Sequence, residues 1–188
     1  MQLHLALAIR GALFCAAWHA AATAAIAQPG ASSSQGAAGA QIVEPIGVVA
    51  VSDLEFGAIA VSASEGGEVA IAPASGAAQY SGGARPACAG TSQCAIGAAR
   101  FAVTGESGRD YAIGLPSVVM AEHRGGGGPG LPVSGLTAWS RNLGTLGPFG
   151  RLDQAGSDEV RVGGTLTIPA GTAIGSYVAE VPIVVNYG

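Results

Sequence analysis

The sequence predicts an all-β protein, an antiparallel β-sandwich, and three observations carry that prediction. The last fourteen residues, Gly175 to Gly188, place Tyr177, Ala179, Val181, Ile183, Val185 and Tyr187 at odd positions, with Ser176, Glu180, Pro182 and Asn186 among the even ones. That is the period-2 alternation of a strand with one face in the core and the other in water. Several shorter runs repeat this period between breaks containing Gly, Pro or Ser, and beyond residue 27 no amphipathic helix of useful length can be read. Burying the larger odd-face side chains of the final strand would gain roughly 1.5–3 kcal/mol each. Their sum is on the order of a domain's net stability, about 5–15 kcal/mol, so loss of this strand is expected to unfold the protein.

Taken in order, residues 1–27 read as a cleaved secretory signal. His4 and Arg10 form a thin basic start, Gly11–Ala25 is a short alanine-rich apolar run, and Ala25-Ile26-Ala27 is an A-x-A site before Gln28. The run is too short for a spanning helix, and no later segment offers the roughly 20 apolar residues that membrane insertion requires. Cys15 does not make a lipid-attachment site, because bulky Phe14 precedes it. Residues 28–40, QPGASSSQGAAGA, have the composition of a flexible linker. Residues 41–188 are then expected to form a single sandwich domain, exported to the periplasm, cell surface or exterior.

Within that domain, Gln41–Ile59 is rich in β-branched residues with mixed parity. Ile42, Ile46, Val48, Leu54 and Phe56 share one face, and Val43, Val49 and Val51 share the other. Pro45 and Gly47 would disturb a central ladder, so the stretch reads as an edge strand with a bend or bulge, followed by a short strand around Leu54–Ile59. Clearer strands follow at Glu68–Ala72, Arg100–Thr104 and Asp110–Leu115, with Val69, Ile71, Phe101, Val103, Tyr111, Ile113 and Leu115 inward. Residues 105–109, GESGR, read as the hairpin loop joining the last two, and Val118–Ala121 as a continuation beyond Pro116. His123–Pro132, HRGGGGPGLP, reads as a mobile surface hairpin. Its glycines open no helix and so form no phosphate cradle. Gly135–Leu152 suggests one or two irregular covering strands. Val160, Val162, Leu166 and Ile168 then alternate cleanly, and Pro169–Gly171 turns into the final strand.

Charge is sparse and acidic. Eight arginines, no lysine and twelve acidic residues give a formal charge of −4. No basic patch points to nucleic acid or to an anionic membrane surface. Cys88 and Cys94 lie in a Gly-, Ala-, Thr- and Ser-rich segment without periodicity, so in an oxidising compartment they read as a local disulfide pinning a loop. By the chain-entropy estimate such a loop gains about 2–3 kcal/mol.

Catalysis finds little to work with, so the chain is expected to be non-enzymatic, without cofactor or metal. His123 stands at the mouth of the glycine loop, poorly supported for a triad. Asp158 and Glu159 are neighbours in a strand and point to opposite faces, which is wrong for an acid and base acting on one bond. No D-x-[DN]-x-[DN]-G calcium loop is present.

An ordered set of motifs then stands out. Asp53-Leu54-Glu55-Phe56-Gly57, Phe101-Ala102-Val103-Thr104-Gly105, Tyr111-Ala112-Ile113-Gly114-Leu115-Pro116, Val162-Gly163-Gly164-Thr165-Leu166, and Gly175-Ser176-Tyr177 followed by Val184-Val185-Asn186-Tyr187 succeed one another. In order and spacing these resemble the bacterial domain of unknown function 4402 family over nearly all of residues 42–188, which implies an exported β-sandwich. The carboxyl-terminal strand also resembles that of chaperone-usher pilins, with Tyr187 penultimate and Gly175 fourteenth from the end. That likeness implies an immunoglobulin-like, pilin-like sandwich. It also implies an assembly strand carried by Gly175, Tyr177, Val181, Ile183, Val185 and Tyr187, with a periplasmic chaperone and like subunits as partners by strand addition. Pro182 departs from the pilin pattern by removing one ladder donor.

Two functions follow. The preferred one is a structural subunit or minor component of a fimbria-like surface assembly with residues 41–51 as candidate donor strand. The other is a self-complete monomeric binding or envelope module in which residues 41–51 pair at home. The mixed parity of that stretch predicts a mostly self-complete fold.

Overall fold

The computed structural model describes residues 33–87, 95–126 and 128–188. The expected signal, residues 1–27, and the expected disulfide pair, Cys88 and Cys94, lie outside the described residues. Residues 33–40 are exposed and form no ladder, and Gln41–Gly188 forms one unit. The strands in chain order are β1 (Gly47–Ser52), β2 (Ile59–Val61), β3 (Gly67–Ile71), β4 (Ala78–Gly82), β5 (Ala84–Pro86), β6 (Ala99–Thr104) and β7 (Asp110–Gly114). They continue with β8 (Val118–His123), β9 (Leu131–Ser140), β10 (Thr145–Leu146), β11 (Phe149–Arg151), β12 (Ser157–Ile168), β13 (Tyr177–Val178) and β14 (Val184–Tyr187). Among the described residues there is no helix, and therefore none long and apolar enough to cross a membrane.

Every ladder is antiparallel, and β12 is the hub. Its first half pairs with β6, from Ser157↔Thr104 to Val162↔Ala99, and its second half pairs with β3, from Gly164↔Ile71 to Ile168↔Gly67. β9 lies along the opposite edge. The large sheet therefore runs β1-β6-β12-β9-β8-β13, with β3 and β4 continuing beside β12 and β10 on β9. A three-stranded sheet, β11-β7-β14, and a two-stranded ladder, β2-β5, complete the domain. Glycine is required where β6 gives way to β3. A Cβ on Gly163 would strike the Ile71 carbonyl and Pro73, and a bulge opposite β9 falls between Gly163 and Thr165.

The alternation dictates the core. Phe101 and Val103 of β6 and Val160 and Val162 of β12 pack against Tyr111 and Ile113 of β7, joining the large and three-stranded sheets. A second cluster holds Ala121, Leu131, Val133, Leu166 and Ile168, and a third holds Val69, Ile71 and Ala84 beneath β2 and β5. The result is an all-β sandwich, as the periodicity predicts.

Several local expectations need correction. Residues 105–109 do not close a hairpin, because both edges of β6 are occupied by β1 and β12, which sends β7 into the other sheet. The loop packs instead on the 153–156 turn, with Gly105 N–H donating to Gly156 O and Gly108 N–H to Asp153 O. Val118–Ala121 does not continue β7. Beyond Pro116 it returns to the large sheet as β8, paired with β9. The expected strand around Leu54–Ile59 shrinks to one bridge, Glu55↔Gly97, and ladder pairing resumes at Ile59. Gly135–Leu152 conceals the carboxyl-terminal half of β9, a ten-residue strand inside the large sheet. Pro132 and Gly135 had masked its period, and Pro132 is tolerated because the β12 register ends at Val133. The hairpin over His123–Pro132 is present, with Ala121 paired to Leu131.

Candidate functional site

The carboxyl-terminal stretch keeps its alternation but is not one strand. β13 pairs with β8 through Tyr177↔His123 and Val178↔Glu122, while β14 pairs with β7 through Val185↔Ile113 and Tyr187↔Tyr111. Between them residues 179–183 make no ladder and carry the chain from one sheet to the other. Pro182, which has no N–H to donate, sits in that break. Tyr177, Ala179, Val181, Ile183, Val185 and Tyr187 are all half-buried, and every even residue between them is exposed. Tyr177 and Ala179 pack on the second cluster, and Ile183, Val185 and Tyr187 on the first. The stretch thus ties two parts of the core together.

Each end of the stretch has its own fastening. At Gly175 a Cβ would run into the His123 ring. His123 Nδ1 accepts from Gly125 N–H at 3.1 Å, which leaves Nε2 to donate to Ile174 O at 3.3 Å. The Tyr177 ring meets the imidazole edge-on at 5.1 Å. At the other end, Tyr187 Oη accepts from Glu106 N–H at 2.7 Å and donates to Glu44 O at 2.8 Å. The Arg109 guanidinium lies 5.0 Å from the centre of its ring. Gly105 must lack a side chain here, since a Cβ would strike the Tyr187 hydroxyl. One phenol therefore joins the amino-terminal segment, the 105–109 loop and the last strand.

Residues 47–52 pair within their own domain, and residues 41–46 make no ladder. β1 pairs with β6 from Gly47↔Thr104 to Ser52↔Arg100, with a bulge between Ala50 and Ser52. Ile46 and Val48 face the first cluster, while Val49 is 67% exposed, Val51 58% and Ile42 97%. The mixed parity thus resolves into an edge strand with Ile46 and Val48 inside and Val49 and Val51 in water. β14 pairs with β7 alone, and its other edge has no ladder partner among the described residues.

A buried polar cluster escaped the sequence reading. Asp158, only 7% exposed, accepts from Tyr111 Oη at 2.7 Å and Ser140 Oγ at 2.6 Å on one oxygen, and from Asn142 N–H at 3.1 Å on the other. Burial, followed by the Asp158 hydrogen bond, pushes the Tyr111 phenol well above the ordinary tyrosine range. Asp158 shares the inward parity of Val160 and Val162. A carboxylate on a core parity was the signal for a buried acceptor with dedicated donors. Glu159 faces outward, where Arg100 at 2.6 Å and Arg161 at 2.8 Å hold its carboxyl below the ordinary glutamate range. Among the described residues no group of three or more His, Cys, Asp or Glu is placed to hold a metal ion.

The family model described as a domain of unknown function, DUF4402, matches residues 46–187. No curated protein and no solved structure matches the chain.

Proposed function

We propose that this chain, which belongs to the DUF4402 family of domains of unknown function, serves as an exported, non-enzymatic module of the cell envelope whose sandwich is complete without a partner strand. The observation that carries this reading is the pairing of β1 with β6 inside the same chain. A donor strand must leave its own sheet to fill a neighbour's, and here that would strip a ladder and withdraw Ile46 and Val48 from the first cluster. The main buried polar group supports a structural role, since both oxygens of Asp158 are spent on internal donors. Secretion and fractionation test the reading. The protein is expected to leave the cytoplasm and to be recovered from periplasm or envelope as a monomer without a co-purifying chaperone. Recovery from the cytoplasm, or only as a chaperone complex, would overturn it.

A second reading, a component of a fimbria-like surface assembly, is favoured by one observation. The outer edge of β14 has no ladder partner among the described residues, and it carries no charged side chain to discourage an added strand. In that reading, like subunits or a periplasmic chaperone add at β14 while β1 stays home. Shearing of intact cells followed by size analysis separates the two, because an assembly component is released in high-mass filaments.

A further inference from the structure

The outer edge of β14 has the backbone chemistry of an unfinished ladder. Along an antiparallel strand the hydrogen-bonding groups of successive residues point to alternate sides. Gly188 N–H is turned to Asp110 O at the start of β7, so Asn186, opposite Ala112, also bonds towards β7. The N–H and C=O of Val185 and Tyr187 therefore point to the other side. The alternation along β7 agrees, because Ile113, opposite Val185, gives its N–H to Pro148 O on the β11 side. Among the described residues no backbone group bonds the outward side of Val185 or Tyr187. β1 is bonded to β6 and makes no ladder with β14.

Folded proteins guard such edges with charge, proline or a bulge. β1 has its bulge between Ala50 and Ser52, and β11 carries Arg151. β14 reads Val-Val-Asn-Tyr and has none of these devices. Val185 and Tyr187 pack on the first cluster yet are only half-buried, so apolar surface remains that one more strand would cover. Asn186, between them, is exposed on the opposite face.

This edge is complementary to itself. When two copies of β14 are set antiparallel about a two-fold axis at Asn186, Val185 of each copy lies opposite Tyr187 of the other. The outward N–H and C=O groups of these residues then satisfy one another, and on the inward face each valine meets a tyrosine, the β-branched and aromatic pairing that stabilises sheets. The two Asn186 side chains meet on the solvent face, where each amide can donate to the other's oxygen. We propose that β14 docks on β14 of a second copy of this chain, joining the two three-stranded sheets into one. Such an isologous contact closes on itself and stops at a dimer. A strand of four residues is far short of the ~20–30 residues a side of a standard interface, so the dimer is weak. The dilute protein is still the monomer of the module reading, on which this inference rests. In the dimer, the edge that a fimbria-like addition would use is covered.

The test is a concentration series of the purified chain, followed by amide chemical shifts, with light scattering on the same samples to report mass. The amides of Val185, Asn186 and Tyr187 are expected to shift as concentration rises while those of β1 stay in place, and the mass should climb towards that of a dimer and no further. Asn186→Asp puts like charges opposite each other and should weaken pairing about fivefold, as should Asn186→Lys. An equimolar mixture of the two variants should pair at least as well as the wild type, because opposite charges then meet. Each variant should keep the melting temperature of the dilute protein, since the side chain at 186 is exposed. The proposal falls if the edge amides do not respond to concentration, if N186D pairs as well as the wild type, or if the mixture pairs no better than either variant alone. A chain that stays monomeric throughout defeats the pairing and leaves the module reading standing, whereas mass that grows without limit into filaments defeats both.

Discussion

Tyr187 is the residue on which three segments converge, and its hydroxyl is the testable part. Replacing it with Phe keeps the ring in the core but removes the acceptor for Glu106 N–H and the donor to Glu44 O. Tyr187→Phe should therefore cost about 1–3 kcal/mol, the price of an unsatisfied backbone donor, read as a lower urea midpoint with unchanged m. Asp158→Ala should cost more, about 3–5 kcal/mol, because it orphans the Tyr111 and Ser140 hydroxyls and the Asn142 N–H together. The pH dependence has a definite sign at each end. Tyr111 has its folded pKa raised, so its contribution is complete below the ordinary tyrosine value of about 10 and is lost as pH rises above it. Asp110, Asp153 and Glu159 have theirs lowered, chiefly by Arg151, the Ser157 backbone and Arg100 respectively. Their contribution is present above the ordinary carboxylate value of about 4 and is lost as pH falls below it. Equilibrium unfolding across pH should show both declines, and Tyr111→Phe should remove the alkaline one.

At the scale of elements, the legible strands were those whose inward residues are large and β-branched. Val69, Ile71, Phe101, Val103, Val160 and Val162 announced β3, β6 and β12 by period alone. The illegible ones were written in small residues. β4 and β5 carry Ala, Gly and Ser among their few landmarks, and β9 is interrupted by Pro132 and Gly135. Pairing was harder than existence, because the 105–109 loop has hairpin composition while its destination depends on which edges of β6 are already taken. The final stretch shows both sides of this. Its face was correctly read to the last residue, yet its switch of sheet at Pro182 is a property of two partners, β8 and β7, that no local pattern contains. Removing residues 184–188 should strip the β7 ladder and take Val185 and Tyr187 from the first cluster. The truncated chain is expected to lose its cooperative melt and become protease-sensitive, whereas a retained sharp melt would show that β14 is dispensable.

For the whole molecule, the sandwich architecture followed from periodicity, and the order of motifs pointed to the family whose model matches residues 46–187. The polar half of the picture did not. Asp158 and its donors come from β7, β9, the turn after β9 and β12, and the arginines bound to Glu159 come from β6 and β12, so both clusters exist only once strands distant in sequence are brought together. The central claim is that Gly47–Ser52 completes its own domain. Amide hydrogen exchange of the dilute protein tests it most directly, because an in-chain ladder protects its donors without any partner. The ladder amides of β1 are expected to be protected to the same degree as those of β6, independently of protein concentration and of added peptide spanning residues 41–51. Unprotected β1 amides, or protection that the peptide displaces or that appears only at high concentration, would contradict a self-complete fold.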